Sequence, residues 1–144
     1  MDQESIVYGI IKDIPLSDDM AMMKARLANC DAILDLDEND DFPYLTSSLF
    51  SIPPDDLYQG TYHTQVIHFA ASYRAVEYEW DRWIKKFEAL LKRMYWVSAT
   101  VHLETELSGK HTFHWEAPGS YHQPSDTDLQ VRCEWEHEVS MLSI

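Results

Sequence analysis

The hydrophobic period of this chain changes near residue 95, and that change restricts the folds it can adopt. Over residues 76–94, apolar side chains recur every three or four positions, with charged side chains between them. This spacing predicts a long amphipathic helix. Over residues 95–106, apolar and polar side chains alternate, which predicts a strand with one buried face. A helix that leads directly into such a strand indicates a sheet with helices packed against it.

The N-terminal half predicts one more helix and three strands. Residues 6–11 are apolar at both the odd-numbered and the even-numbered positions. This is expected of a strand that is central in a sheet or covered on both faces. Ser17 can cap a helix that runs to about Asn29. Further strands are predicted at residues 49–52 and 62–71. Met20, Met23 and Leu27 fall on one face of this predicted helix.

Two more strands are predicted in the C-terminal part, at residues 112–116 and 129–139, each with alternating faces. The complete order is then β-α-β-β-α-β-β-β. We therefore predict an α+β fold over a single domain, residues 1–144, in which two helices pack on one face of a mainly antiparallel sheet. The first six elements are compatible with a ferredoxin-like arrangement.

The chain is strongly acidic. Its 144 residues include 25 Asp and Glu against 11 Lys and Arg, which gives a formal net charge of −14. Such a charge repels nucleic-acid phosphates and anionic lipid, and it attracts cationic surfaces. The N-terminus shows no secretion signal, no apolar run is long enough to cross a bilayer, and the two cysteines form no CxxC pair. We expect a cytoplasmic protein that binds neither nucleic acid nor membranes.

The outward side chains of the three C-terminal strands form the main candidate binding surface. A three-residue loop at 108–110 would set Leu103 against Trp115. Glu104 would then face His114, and His102 would face Glu116. Six carboxylates beside one arginine destabilise a sheet, so we predict that they bind a cationic partner; the alternative is an ordinary solvated sheet face. The predicted surface consists of His102, Glu104, Glu106, Thr112, His114, Glu116, Arg132, Glu134, Glu136 and Glu138.

Two further features extend the candidate binding surface. Asp37, Asp40 and Asp41 belong to an acid-rich stretch in the predicted loop after the first helix. Trp96 is among the residues of its strand that are predicted to point away from the helices. An exposed tryptophan at such a position can anchor a protein interface. The alternative for Trp96 is a partly covered position at the junction of helix and strand.

Signatures of catalysis are missing from the sequence, which has no glycine-rich phosphate loop, no GxSxG and no cysteine with a neighbouring histidine. We predict no enzyme activity, no catalytic residue, no cofactor and no metal. Three alternatives stay open: an adaptor or secretion-chaperone domain, a small carboxylate-dependent enzyme, and a zinc site. The zinc site would use His102 and His114 with Glu104 or Glu116.

The segment from His68 to Glu116, about a third of the chain, resembles a known class of proteins. Its sequence is HFAASYRAVEYEWDRWIKKFEALLKRMYWVSATVHLETELSGKHTFHWE. It is similar to the small acidic immunity proteins encoded beside bacterial polymorphic toxins, such as those paired with Rhs-type or type VI secretion effectors. The resemblance implies a protein that binds a cognate toxin and neutralises it, often by covering a cationic active site.

Overall fold

A computed structural model describes residues 4–13, 19–36, 41–52, 66–117, 119–124 and 129–134. The predicted order of helices and strands is confirmed, and the fold is α+β. Two short 3-10 helices, Ser47–Leu49 and Val76–Glu79, precede β2 and α2. The main elements are β1 (Glu4–Lys12), α1 (Asp19–Leu34), β2 (Phe50–Ser51), β3 (Val66–Arg74), α2 (Trp80–Lys92), β4 (Ser98–Thr105), β5 (Gly109–Glu116) and β6 (Gln130–Glu134).

The six strands form one antiparallel sheet in the order β2-β3-β1-β4-β5-β6. The first four strands with α1 and α2 have the split β-α-β-β-α-β connectivity of a ferredoxin-like arrangement. The β5 and β6 strands extend this unit as a meander beyond β4. Because β1 lies inside the sheet with β3 and β4 as neighbours, its side chains occupy the centre of both faces.

The centre of the sheet depends on Gly9 in β1. A Cβ atom at this position would lie 2.1 Å from the Thr100 carbonyl oxygen and 2.8 Å from the ring of Phe69. Both distances are far below van der Waals contact, so only glycine lets β1 and β4 approach this closely. On either side of Gly9, Val7 and Ile11 are buried against the helices.

The amphipathic helix α2 provides most of the core on the covered face. Its buried side chains form a row of aromatic contacts with the sheet: Phe87 lies 5.3 Å from Phe69 and 5.2 Å from Trp115, centroid to centroid. Trp83 stacks on Phe87 at 5.2 Å. Burial of each such side chain stabilises the fold by roughly 2–3 kcal/mol. The 3.6-residue period in the sequence therefore predicted this element correctly.

The apolar face of α1 that the sequence shows is not the face that packs on the sheet. Met20, Met23 and Leu27 are 81%, 63% and 57% exposed, and the helix instead buries Ala25, Asn29, Ala32 and Ile33. The Asn29 side chain donates to the Tyr95 carbonyl oxygen at 2.9 Å and accepts from the Tyr95 amide nitrogen at 2.7 Å. These two hydrogen bonds and the small alanines fix the inward side of α1, although larger apolar residues lie on the other side.

The predicted pairing of β4 with β5 is also wrong, by four residues. Leu103 pairs with His111 rather than Trp115, and the turn covers residues 106–108 rather than 108–110. Thr105 accepts a hydrogen bond from the Ser108 amide at 2.8 Å and ends β4 one residue early, while Gly109 takes the positive φ of 79° that closes the turn. A shift by an even number keeps each side chain on its predicted face.

Candidate interaction surface

The second face of the sheet carries no helix within the described ranges. The buried residues of α1 and α2 belong to one core with the inward side chains of the strands, so both helices pack on the same face. We call the other side the open face. Its described side chains are Glu4, Ile6, Tyr8, Ile10 and Lys12 from β1, Ser51 from β2, Val66, His68, Ala70, Ser72 and Arg74 from β3, Ser98, Thr100, His102 and Glu104 from β4, and Lys110, Thr112, His114 and Glu116 from β5.

The centre of the open face is apolar. Ile6 and Ile10 are 38% and 37% exposed, and Tyr8 lies between them on β1. The sequence pattern of residues 6–11 indicated a central strand, which is correct, but it left open whether both faces were covered. In the sequence, the apolar centre of the open face is indicated by β1 alone, because its residues are apolar at positions that point to both faces of the sheet.

His102 joins this apolar centre to the polar part of the face. Its ring lies 5.0 Å from the Tyr8 ring, and its Nδ1 shares a hydrogen bond of 2.9 Å with the Thr112 hydroxyl. Burial and, less strongly, the Glu104 carboxylate raise the pKa of the Tyr8 hydroxyl above its ordinary value of 10.0, while the Lys110 ammonium lowers it. Tyr8 therefore stays a neutral hydrogen-bond donor at physiological pH.

His114 is held on the same face by two neighbours. Its Nδ1 shares a hydrogen bond of 2.8 Å with the Thr100 hydroxyl, and its Nε2 lies 3.2 Å from the Glu116 carboxylate. The predicted pairs of Glu104 with His114 and of His102 with Glu116 do not form, because the register differs. Both imidazoles nevertheless lie on the open face, in fixed orientations.

The described side chains of the open face carry acids and bases in equal number. The acidic patch predicted over the three C-terminal strands stays a prediction, because the side chains of residues 130–134 and residues 135–144 are not described. Glu4 lies opposite Arg74, and Glu104 lies opposite Lys110, a residue that the sequence pattern predicts in the loop. With Glu116 and Lys12 added, the described side chains of this face comprise three carboxylates and three bases.

The remaining predicted binding acids lie in the turn after β4, in the edge strand β6, in the segment before β2 or outside the described residues. Glu106 is exposed in the turn between β4 and β5, where its carboxylate accepts a hydrogen bond from the Glu4 amide at 3.4 Å. Glu134 is paired with Thr112 at the edge strand β6. Asp41 is exposed, and its carbonyl oxygen accepts a hydrogen bond from the Lys86 ammonium. Outside the described residues lie Asp37, Asp40, Glu136 and Glu138.

The acidic surplus is concentrated in sequence outside the described ranges. Eleven of the 25 acidic residues and none of the eleven basic residues lie there. The described residues therefore carry fourteen acids and eleven bases, a net charge of −3, and the other residues carry −11. Most of the net charge of −14 is thus carried by residues outside the described ranges.

The prediction that Trp96 is exposed is wrong. Trp96 is fully buried, its indole nitrogen donates to the Leu91 carbonyl oxygen at 2.8 Å, and its ring stacks on His122 at 4.8 Å. The strand begins at Ser98, so the alternation seen from residue 95 does not yet apply at residue 96. This burial removes Trp96 from the candidate interface.

Among the described residues, no group of three or more His, Cys, Asp or Glu side chains could hold a metal ion. Within the same ranges, no helix has the length and apolar content needed to cross a membrane. No family model, no curated protein and no solved structure matches the chain.

Proposed function

We propose that this chain is an immunity protein that docks its open face on the cationic active-site surface of a cognate toxin and so neutralises it. The observation that carries the proposal is a sheet face that no described helix covers, with an apolar centre and a polar border. An apolar centre surrounded by polar side chains is the usual composition of a protein interface. The resemblance of residues 68–116 to immunity proteins gives the proposal its choice of partner.

Net charge and contact chemistry have separate roles in this proposal. A net charge of −14 attracts a cationic partner and accelerates its association, and salt screens this attraction. The contact itself depends on Ile6, Tyr8 and Ile10. Each isoleucine still exposes over a third of its surface, so covering it contributes roughly 0.5–1 kcal/mol.

The polar side chains of the open face hold fixed orientations that would orient a bound partner. Thr112 orients His102 and Thr100 orients His114, so neither imidazole has to be immobilised when a partner binds. Glu104 and Lys110 lie opposite each other on β4 and β5, so the face carries opposite charges side by side. This arrangement suits a partner that buries the face as a whole.

Co-expression with the toxin encoded immediately upstream tests the proposal. We expect the chain to restore growth and to co-purify with the toxin in a fixed stoichiometry. The double variant Ile6→Thr/Ile10→Thr keeps β-branched side chains in β1 but removes apolar contact, and we expect it to weaken toxin binding roughly tenfold or more. The matched control is Leu27→Glu on α1, which lies on the covered side of the sheet and should bind the toxin normally.

The possible outcomes separate the proposal from its alternatives. A complex without loss of toxin activity would contradict neutralisation and favour an adaptor or secretion-chaperone domain. Growth that is not restored, with no complex recovered, would contradict both. A double variant that is folded by circular dichroism and binds the toxin as tightly as the unmodified chain would exclude the open face as the contact surface.

A further inference from the structure

Helix α1 has a second apolar side that faces away from the sheet. The residues on this side follow each other along the helix at spacings of three, four, three and four. Met20, Met23 and Leu27 are exposed, Leu34 is 71% exposed, and Cys30 is partly exposed. A row of large exposed apolar side chains on a folded domain marks an interaction surface. The α1 stripe consists of Met20, Met23, Leu27, Cys30 and Leu34.

The spacing of the α1 stripe is that of a coiled-coil seam. Positions 20, 27 and 34 correspond to a, and positions 23 and 30 correspond to d, over two heptads. The opposite side of the helix is already packed on the sheet through Ala25, Asn29, Ala32 and Ile33. Because that side packs on the sheet, the α1 stripe lies away from the core that the described residues form.

We propose that the α1 stripe pairs with the α1 stripe of a second copy of this chain, as two antiparallel helices related by a two-fold axis. Lys24 and Asp31 are both exposed and both occupy the e position beside the seam. In an antiparallel pair, the e positions of the two helices face each other. Lys24 of each copy then faces Asp31 of the other copy, so the two-fold axis generates two ion pairs.

The geometry favours the antiparallel pair over the parallel one. In a parallel pair, Asp31 would face the g position of the second copy, which is Arg26. Arg26 lies 3.5 Å from the buried Asp13 carboxylate, with only 20% of its side chain exposed. A parallel pair would have to compete with that contact, whereas the antiparallel pair uses two exposed side chains.

This dimer goes beyond the proposed function and does not depend on it. The α1 helix covers one face of the sheet and the open face is the other, so pairing through α1 leaves both open faces accessible. Each dimer would present two open faces, pointing away from the shared helices. The seam is only two heptads long, so we expect a dimer that dissociates on dilution.

Sedimentation equilibrium of the purified full chain, without any toxin, tests the proposal. The measurement is made at physiological ionic strength, because two copies of net charge −14 repel each other more strongly at low salt. We expect a monomer–dimer equilibrium that Leu27→Glu shifts fully to monomer. The control Ile6→Thr/Ile10→Thr, on the open face, should dimerise as the unmodified chain does. A chain that is monomeric at every concentration, or a dimer that Leu27→Glu leaves intact, would overturn the proposal.

A charge exchange tests the antiparallel register and keeps the proposal testable if Leu27→Glu does not fold. Each of Lys24→Glu and Asp31→Lys should raise the dissociation constant roughly three- to tenfold, because each places like charges opposite one another twice. The double variant Lys24→Glu/Asp31→Lys should restore the original dissociation constant. A double variant as weak as the single ones would contradict the antiparallel pair, since a parallel pair does not bring positions 24 and 31 together.

Discussion

Replacing Asn29 with alanine tests the orientation of α1. The Asn29 side chain is 97% buried and forms both a donor and an acceptor hydrogen bond with the backbone of Tyr95, at 2.9 Å and 2.7 Å. Asn29→Ala leaves two backbone groups without these partners, at a cost of about 1–3 kcal/mol each. Alanine recovers about 0.6 kcal/mol through its higher helix propensity. We expect the free energy of unfolding to fall by about 2–4 kcal/mol in urea titrations.

The matched control for Asn29→Ala is Met23→Ala on the exposed side of the same helix. Met23 is 63% exposed, so its truncation should change the free energy of unfolding by less than about 0.5 kcal/mol. Both variants are measured at a protein concentration low enough to keep the chain monomeric. The sequence pattern alone predicts the reverse, because a core methionine costs about 2–5 kcal/mol when it is replaced by alanine. A larger loss for Met23→Ala than for Asn29→Ala would refute the orientation of α1.

Two other substitutions test the packing of the covered face. Gly9→Ala places a Cβ atom 2.1 Å from the Thr100 carbonyl oxygen, so we expect it to lower the free energy of unfolding by about 3 kcal/mol or more; an unchanged urea midpoint would contradict that close approach. Burial raises the pKa of the Tyr73 hydroxyl above 10.0, although the hydrogen bond from Trp83 lowers it. The folded state therefore favours neutral Tyr73, whose stabilisation is complete below pH 10.0 and is lost as the pH rises through the folded pKa. In alkaline urea titrations, Tyr73→Phe should show a smaller loss of stability above pH 10 than the unmodified chain.

The order of elements could be predicted from the sequence because hydrophobic period depends only on local spacing. Helix α2 shows this best, since its apolar residues lie on one side and its charges on the other. Helix α1 shows the opposite, because it has apolar residues on two sides and periodicity cannot choose between them. The choice depends on Asn29, whose partner Tyr95 is 66 residues away in sequence. No local pattern identifies a hydrogen bond at that separation.

The candidate site was predicted only in part, for a similar reason. Strand alternation correctly placed His102 and His114 on the outer face, because a four-residue register shift leaves the faces unchanged. It could not give their partners, since these depend on where the turn closes, and Thr105 closes it through a side-chain hydrogen bond with Ser108. The same shift brings Lys110 into β5 opposite Glu104.

Oxidative footprinting of the chain with and without its toxin is the most direct test of the open face. Hydroxyl radicals label exposed side chains, and mass spectrometry reports how far each label falls when a partner covers it. We predict that toxin binding protects Tyr8 and His102 on the open face, while Met20 and Met23 of α1 keep the reactivity they have in the chain alone. Protection of the two methionines on toxin binding, with no change at Tyr8 and His102, would contradict docking through the open face.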